Sequence, residues 1–498
     1  MKLERLTAGM TIPWGGDNLA VVDDQLAGAF APGDRLIVVQ ENGALLRVPA
    51  ASAALASAAI DAARAALPEL AAASDKQLAA FFSLFAERLQ TEHVWRAIAA
   101  ANAADVARAG AAGRSSGRLA VSEAMRGQMI AGLLAWRDLS PARGRLVRRV
   151  DHDHWSVDLL AAPLGVVGFV FEGRPNVLTD AVGVIAGGNA AVLRIGADAL
   201  ETARTISQKA LAPALRAADL PEGAAVLIDS PDRAAGWALF SDPRLALAIA
   251  RGSGPAVAQL GAVARQSGIP ASLHGTGGAW IIAETSADAG RFAAVVEASL
   301  DRKVCNTLNT ACITRDRADE LVPVFIDALW RAGEASGCGA RLHVGERETG
   351  HIPERWRGVP VQVRRAEGER EEAFVQVHFH PDLGHEWEWD GTPEVWLAVV
   401  DNLDEAIDRF NAVSPTFIAS LIAEDTAAQD QFYRRIEAPF VGDGFTRWVD
   451  GQYALGLPEL GLANWQSGRP LARGGVLSGE GVFTIRARMR QKAATLRR

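Results

Sequence analysis

The sequence predicts an α/β protein with two successive parallel-sheet regions. Three observations carry this. Apolar runs of five to eight residues alternate with helical periodicity from about residue 163 onward. An Ala-rich helical stretch precedes them. A second round of the same alternation begins near Ile269.

The chain has 498 residues, enough for two or three domains with their own cores. Hydrophobic residues make up 49% and charged residues 22%, an ordinary globular mixture. The net charge of −8 leaves no basic excess to meet phosphates, so no nucleic-acid partner is expected. Three cysteines, Cys305, Cys312 and Cys338, do not make a disulfide framework and fit a reducing compartment. The N-terminus lacks a basic stretch leading into an apolar run, and no uncharged apolar run approaches the roughly 20 residues of a membrane span. A cytoplasmic protein with no membrane partner is the expectation.

Residues 1–54 read as a β-rich extension. DRLIVVQENGALLRVPA places two apolar runs around Glu41-Asn42-Gly43, and Asn-Gly favours a hairpin turn. From about 51 the chain becomes Ala-rich with apolar spacings of three and four, which predicts helices at 51–70, 76–90 and 93–110. Another helix is predicted in SEAMRGQMIAGLLAWRDL, with Ser122 as its N-cap. Rough alternation over 148–163 suggests a β-ribbon. Then PLGVVGFVFE reads as a strand, NVLTDAVGVIAGG as a helix and NAAVLRIG as a strand. A helix over 197–219 and the strand AAVLID follow. In the second region AWIIAE, ACITR, VWLAVVD and FIASLIAED read as strands, with helices over 317–333 and 404–413. The tail carries a strand, VFTIRAR.

Cys305 lies in DRKVCNT, with Arg302 and Lys303 just upstream. Cations favour the thiolate, and a cysteine attacking a carbonyl also needs donors for the oxyanion. The same residue could equally be a small core hydrophobe. Arg174-Pro175-Asn176 follows a strand, where loops of parallel sheets carry function, and Asn176 could supply a side-chain donor. It could also simply start a helix. No G-x-G-x-x-G opens a helix. RGSGPAV (251–257) has two of the glycines, and HGTGGAW (274–280) is a second Gly-rich turn; such turns are usually structural. His378 and His380, two apart in a run read as a strand, with His385 and Glu386 beyond, have metal-ligand chemistry. No further ligand motif accompanies them, and no metal is expected. The absence of G-x-S-x-G argues against a serine hydrolase.

Taken in order, these strings resemble the γ-glutamyl phosphate reductase (glutamate-5-semialdehyde dehydrogenase) family, a branch of the aldehyde dehydrogenase superfamily. The matching blocks are AANAADVARAGAAG, PLGVVGFVFEGRPNVLTDAVGVIAGGNAAVLR, IARGSGPAV with IPASLHGTGG, VCNTLNTACI, VVDNLDEAIDRFN, DGFTRWVDGQYALGLPELGL and VFTIRAR. The resemblance covers about 55–498. It implies an aldehyde dehydrogenase-like fold: a Rossmann-type cofactor domain (55–268), a catalytic domain (269–440) and a C-terminal segment (441–498). A β-flap near 146–161 would join the C-terminal strand for oligomerisation, giving a homodimer or higher homo-oligomer.

The implied reaction is NADPH-dependent reduction of L-glutamate 5-phosphate to glutamate 5-semialdehyde and phosphate, with NAD as the other possible cofactor. The resemblance makes Cys305, Asn176 and Asn306 catalytic. It gives Arg194, Gly252, Gly254, Gly275 and Glu386 to the cofactor, with Glu394 as the alternative to Glu386. Arg174 and Arg473 go to the small-molecule substrate. Hydrolytic relatives place a glutamate in the Gly-rich turn before the cysteine; here Leu273–Gly277 holds no carboxylate, and His274 could substitute as a base near neutral pH. The chain departs from the family at Ala279-Trp280, at Ser414-Pro415-Thr416-Phe417, and around NWQSGRPLARGG, which matches only at Ala472-Arg473-Gly474. An enzyme with another acyl or aldehyde substrate, and an inactive assembly subunit, stand as alternatives.

Overall fold

The computed structural model describes residues 3–112, 119–140, 142–365, 368–449, 454, 456, 465–466, 469–470, 481–492 and 494–495. Two compact units divide the chain: one from Met1 to Gly275 with part of the C-terminal stretch, the other beginning at Thr276.

The first unit opens with two hairpins. Thr11–Trp14 pairs with Asn18–Val21, and Arg35–Val38 with Leu45–Val48. The Asn-Gly turn forms as the sequence predicts, with Gly43 at φ +74 and its nitrogen donating to Val39 O. A Cβ at Gly43 would lie 2.5 Å from the Trp14 ring, so glycine is required twice over. Asp34 joins this hairpin to the next helix, accepting from Arg47 Nε and from the nitrogens of Ala31 and Ala50.

That helix, Ala50–Ala72, is long and apolar enough to cross a membrane by length and composition. It nevertheless packs Ala56, Ile60, Ala63 and Leu70 into the unit's core, and Asp61 and Arg64 interrupt it. Helices Asp75–Gln90, Glu92–Ala111 and Glu123–Asp138 follow as predicted. Ser74 forms a capping box with Gln77, and Ser122 accepts from Met125 N.

The core sheet is parallel, in the order Ala271–His274, Leu247–Arg251, Val166–Phe171, Ala190–Ile195, Ala225–Leu227. The first strand in sequence is central and the order reverses beside it, as in one half of a doubly wound fold. Val166–Phe171 and Ala190–Ile195 are buried along their whole length, which is why they read as unbroken apolar runs.

Two predicted helices differ in detail. Val177–Ala181 makes one α-turn and continues as a 3₁₀ segment to Gly187. Trp136 packs so close to Gly183 that a Cβ there would meet its ring at 1.9 Å. The helix over 200–217 carries a π-turn at Ser207–Leu211, just before Pro213, whose missing N–H interrupts the ladder. The ribbon expected over 148–163 is two strands, Leu146–His152 and Trp155–Ala162, and Thr484–Gln491 pairs with the second. Asp158 ties all three, bonding Arg149 and Arg488. Those two guanidiniums hold its pKa down at about 2.

The second unit is a seven-stranded parallel sheet, in the order Val375–His378, Arg341–Gly345, Glu394–Val400, Leu308–Thr314, Ala279–Ala283, Ile418–Ile422, Phe440–Gly442. Phe292, Phe325 and Leu329 cover one face; Phe410 and Phe432 cover the other.

Candidate active site

Cys305 stands in a turn just before the strand Leu308–Thr314, half-buried and outside any disulfide. Three sets of bonds fix this turn. Thr307 Oγ1 donates to Arg302 O at 2.6 Å and accepts from Val304 N at 2.9 Å. Gly278 N donates to Cys305 O at 2.8 Å. A Cβ on Gly277 would lie 2.6 Å from Cys305 O and 2.7 Å from its Cα, so the glycine turn runs directly against the cysteine backbone. Asn306 turns away: its amide donates to Val449 O at 2.8 Å, its carbonyl accepts from Arg447, and Thr446 Oγ1 bonds its backbone oxygen. Its geometry is that of a residue holding the turn.

The other cysteines differ. Cys312 is interior to the strand, and burial pushes its thiol up to about 12; Cys338 is exposed.

Glu386 reaches the same place. Its Oε2 accepts from Gly277 N at 2.5 Å and its Oε1 pairs with Lys303 Nζ at 2.5 Å, both side chains nearly buried. Asn309 pins the loop that carries it, donating to His385 O and accepting from Trp387 N, each at 2.9 Å. Cysteine turn, glycine turn and Glu386 loop thus gather at the edge where the parallel strands begin.

Glu394 does not join them. It is fully buried on its strand, bonded to His343, Arg341 and Arg365. Burial opposes its charge, but the bonds from His343 and Arg365 prevail and bring its pKa to about 2.

The expected histidine pair does not form. The strand ends at His378, so His380 falls beyond it, and His378 Nε2 lies 3.0 Å from His343 Nδ1 instead. Among the described residues, no group of three or more His, Cys, Asp or Glu side chains is disposed to hold a metal.

In the first unit the remaining candidates cluster at the carboxyl ends of Val166–Phe171 and Leu247–Arg251, where the strand order reverses. Ligands of open α/β sheets bind at such a point. The two Gly-rich turns touch there: Gly252 N donates to His274 O at 3.2 Å, and a Cβ on Gly275 would lie 3.2 Å from Gly254 Cα. Glu172 accepts from Ser253 N at 2.7 Å, ahead of the helix Gly254–Gln266.

Arg194 is nearly buried. One of its terminal nitrogens donates to Pro231 O at 3.0 Å, while its Nε is buried without a partner. Burial lowers its pKa, against Asp232 and Glu172, which raise it. Arg174 and Asn176 follow the central strand. Asn176 precedes the turn Val177–Ala181 without capping it, and Thr179 bonds its backbone oxygen.

His274 departs from the sequence expectation of a base near neutrality. Burial, with Arg251 and Arg174 beside it, pushes its pKa down to about 3, so it is a neutral and weakly basic imidazole at physiological pH. Arg473 lies outside the described residues.

The sequence reading singled out neither Glu172, which follows a strand as Asn176 does, nor His343 and Arg447. It noted Lys303 only as a nearby cation. Their partners lie 35 or more positions away, beyond any local pattern, except that Lys303 stands two residues from the cysteine.

Comparison with known proteins adds four findings. A sequence model described as the aldehyde dehydrogenase family matches residues 39–336. γ-Glutamyl phosphate reductase of Rhodopseudomonas palustris is 30% identical over 393 residues, covering 76% of this chain and 82% of the relative. The same-named protein of a Bradyrhizobium strain is 30% identical over 441 residues, covering 86% and 92%. The crystal structure of γ-glutamyl phosphate reductase from Thermotoga maritima superposes with a TM-score of 0.74 at 22% identity, covering 89% of this chain and 100% of that one, a likeness of fold.

Proposed function

Because the chain belongs to the aldehyde dehydrogenase family, and within it to the γ-glutamyl phosphate reductases, we propose that it reduces L-glutamate 5-phosphate to glutamate 5-semialdehyde with NADPH. The observation that carries the chemistry is the Cys305 turn, a cysteine outside any disulfide pinned against a glycine turn whose neighbouring carboxylate, Glu386, is already paired.

Cys305 Sγ attacks the acyl carbon, the bond to the phosphate oxygen breaks, and phosphate leaves with that electron pair. A thioester remains on Cys305. When bound, the reduced nicotinamide supplies the hydride that the thioester carbon accepts. The oxyanion formed at each stage is assigned to the Cys305 N–H and the Asn176 amide. Collapse of the thiohemiacetal breaks the C–S bond and returns the thiolate and the aldehyde.

The residues present fit a dinucleotide at the strand reversal of the first unit. Arg194 offers a buried guanidinium with an unused Nε. Gly252, Gly254 and Gly275 keep the backbone bare of side chains, and the preference for NADPH is assigned to Arg194. Glu386 retains lone pairs beyond its two bonds, which suits ribose hydroxyls. Arg174 and Arg473 are assigned to the substrate's anionic groups. The three-stranded sheet exposes Leu146, Val147, Ile485 and Met489, and we assign it to homo-oligomer contacts.

A second reading, another acyl substrate, is favoured by one observation. Ala279 and Trp280 are fully buried in their strand, with Trp280 packed edge-on to Phe410 at 5.6 Å, so neither side chain is open to an amino-acid substrate.

The test is the reverse reaction with glutamate 5-semialdehyde, phosphate and NADP, wild type beside Cys305→Ala. Phosphate-dependent NADPH formation that vanishes in the variant is the expected result. Bound NADP without turnover would overturn the glutamyl assignment and favour the second reading.

A further inference from the structure

Behind Glu386 the second unit holds a buried polar cluster that the reaction as described does not use. Glu394 accepts from His343 Nε2 at 3.0 Å, from Arg341 at 2.9 Å and from Arg365 at 2.7 Å. A carboxylate only accepts, so Nε2 of His343 carries the hydrogen. Its Nδ1 is then the acceptor, and His378 Nε2, 3.0 Å away, donates to it. Two bonds at opposite corners fix both the tautomer and the plane of the ring. Burial keeps His343 neutral, at a pKa of about 4. On that plane lies the indole of Trp387, with ring centroids 3.6 Å apart and planes 11° apart.

A buried ionic network is a poor source of stability. Well-packed apolar side chains of similar volume commonly do as well or better. This one surrounds an imidazole whose free face carries the residue next to Glu386, and that placement suggests its use.

We propose that His343 is a positioning residue: held in one plane by Glu394 and His378, it carries Trp387 and thereby sets the Glu386 carboxylate between Gly277 N and Lys303, beside Cys305. The inference rests on Cys305 being the nucleophile, but its readout needs no substrate.

The experiment measures alkylation of Cys305 by iodoacetamide at pH 7 in the full-length protein, followed peptide by peptide so that Cys338 does not contribute. Glu386→Gln leaves Lys303, two residues from Cys305, without its counter-charge. Because cations favour the thiolate, the rate rises about threefold to tenfold. His343→Ala and Trp387→Leu, which release Glu386, give the same rise. His343→Phe, which keeps a flat ring in the slot but lacks both bonds that hold its plane, gives a rate between those of the wild type and His343→Ala. A merely structural role lowers the melting temperature in these variants and leaves the alkylation rate at 25 °C unmoved. Wild-type rates in His343→Ala and Trp387→Leu beside a raised rate in Glu386→Gln overturn the proposal. So does an unmoved rate in Glu386→Gln, since there is then nothing to position. If His343→Ala does not fold, Trp387→Leu and His343→Phe carry the test. Failure of the reductase assignment shows separately, as wild-type protein without phosphate-dependent turnover.

Discussion

Gly277→Ala tests how tightly the nucleophile is placed. The new Cβ would lie 2.6 Å from Cys305 O, 2.7 Å from its Cα and 2.9 Å from its Cβ. Carbon contacts relax near 3.5–4.0 Å, so one of the two backbones must retreat by about 0.8–1 Å. Gly277 is not in the left-handed region, so the effect comes from contact and not from backbone strain. Retreat in either direction loosens the Gly278 N to Cys305 O bond at 2.8 Å and the Gly277 N to Glu386 bond at 2.5 Å. Overpacking of this kind costs about 1–3 kcal/mol of stability. A displacement of about 1 Å at the reacting atom can cost on the order of a hundredfold in rate. The expected outcome is therefore a folded protein whose kcat falls about a hundredfold, with its KM for the nucleotide little changed. Gly290→Ala is the control in the same unit. It sits in the helix Ala289–Ala298, and its Cβ would approach only Asp288 Oδ1, at 3.4 Å. It should keep wild-type kcat and gain stability by up to about 1 kcal/mol. A Gly277→Ala enzyme with kcat within a factor of about two of wild type, against the hundredfold expected, would refute the reasoning.

Three further outcomes are expected. Arg194→Met removes the guanidinium with the unused Nε, and loss of a charge-assisted bond to the nucleotide should raise the KM for NADPH about tenfold to a hundredfold; an unchanged KM removes Arg194 from the cofactor site. In the unfolded chain His274 takes up a proton near pH 6.5, but in the folded protein only near pH 3. The unfolded state therefore binds more protons across that window, and stability falls as the pH drops through it. His274→Asn should flatten that part of the melting curve against pH and leave the neutral limb of the rate profile unaltered. Asp105 is buried and accepts from Thr202 N at 2.8 Å and Thr202 Oγ1 at 2.6 Å. Asp105→Ala should lower the denaturant midpoint by the equivalent of about 1–3 kcal/mol with little effect on kcat.

The strands of both sheets were legible because burial on both faces leaves an unbroken apolar run, and the Ala-rich helices because their spacing is regular. The hairpin at Asn42-Gly43 and the cap at Ser122 were legible because each depends on one or two adjacent residues. What stayed hidden depends on contacts between distant positions. Nothing in HGTGG says that Gly277 must admit the backbone of Cys305, or in GHEW that Glu386 must meet Lys303. The π-turn before Pro213 and the shortened helix beside Trp136 came from local geometry that period alone does not encode. The expectation of a neutral-range base at His274 failed because a reference pKa carries no information about burial or about Arg174 and Arg251.

The pairing of Glu386 bears on why the thioester would last long enough to be reduced. Sequence alone puts no carboxylate in the glycine turn, yet the fold brings one to the turn from a loop more than 100 residues away. Distance to Cys305 is therefore not what would keep water from being activated there. To act as a general base, Glu386 would have to take up a proton and lose its negative charge, leaving a nearly buried ammonium without its counter-charge. Breaking a buried pair from one side costs about 3–5 kcal/mol, a barrier of more than a hundredfold against hydrolysis. Reduction asks nothing of that pair. Lys303→Met should thus do more than disturb the turn: with no ammonium to strand, Glu386 becomes free to accept a proton from water. The variant should release glutamate in place of aldehyde from the acyl phosphate, measured as product ratio under single turnover. An unaltered ratio would mean that something other than the ion pair protects the thioester.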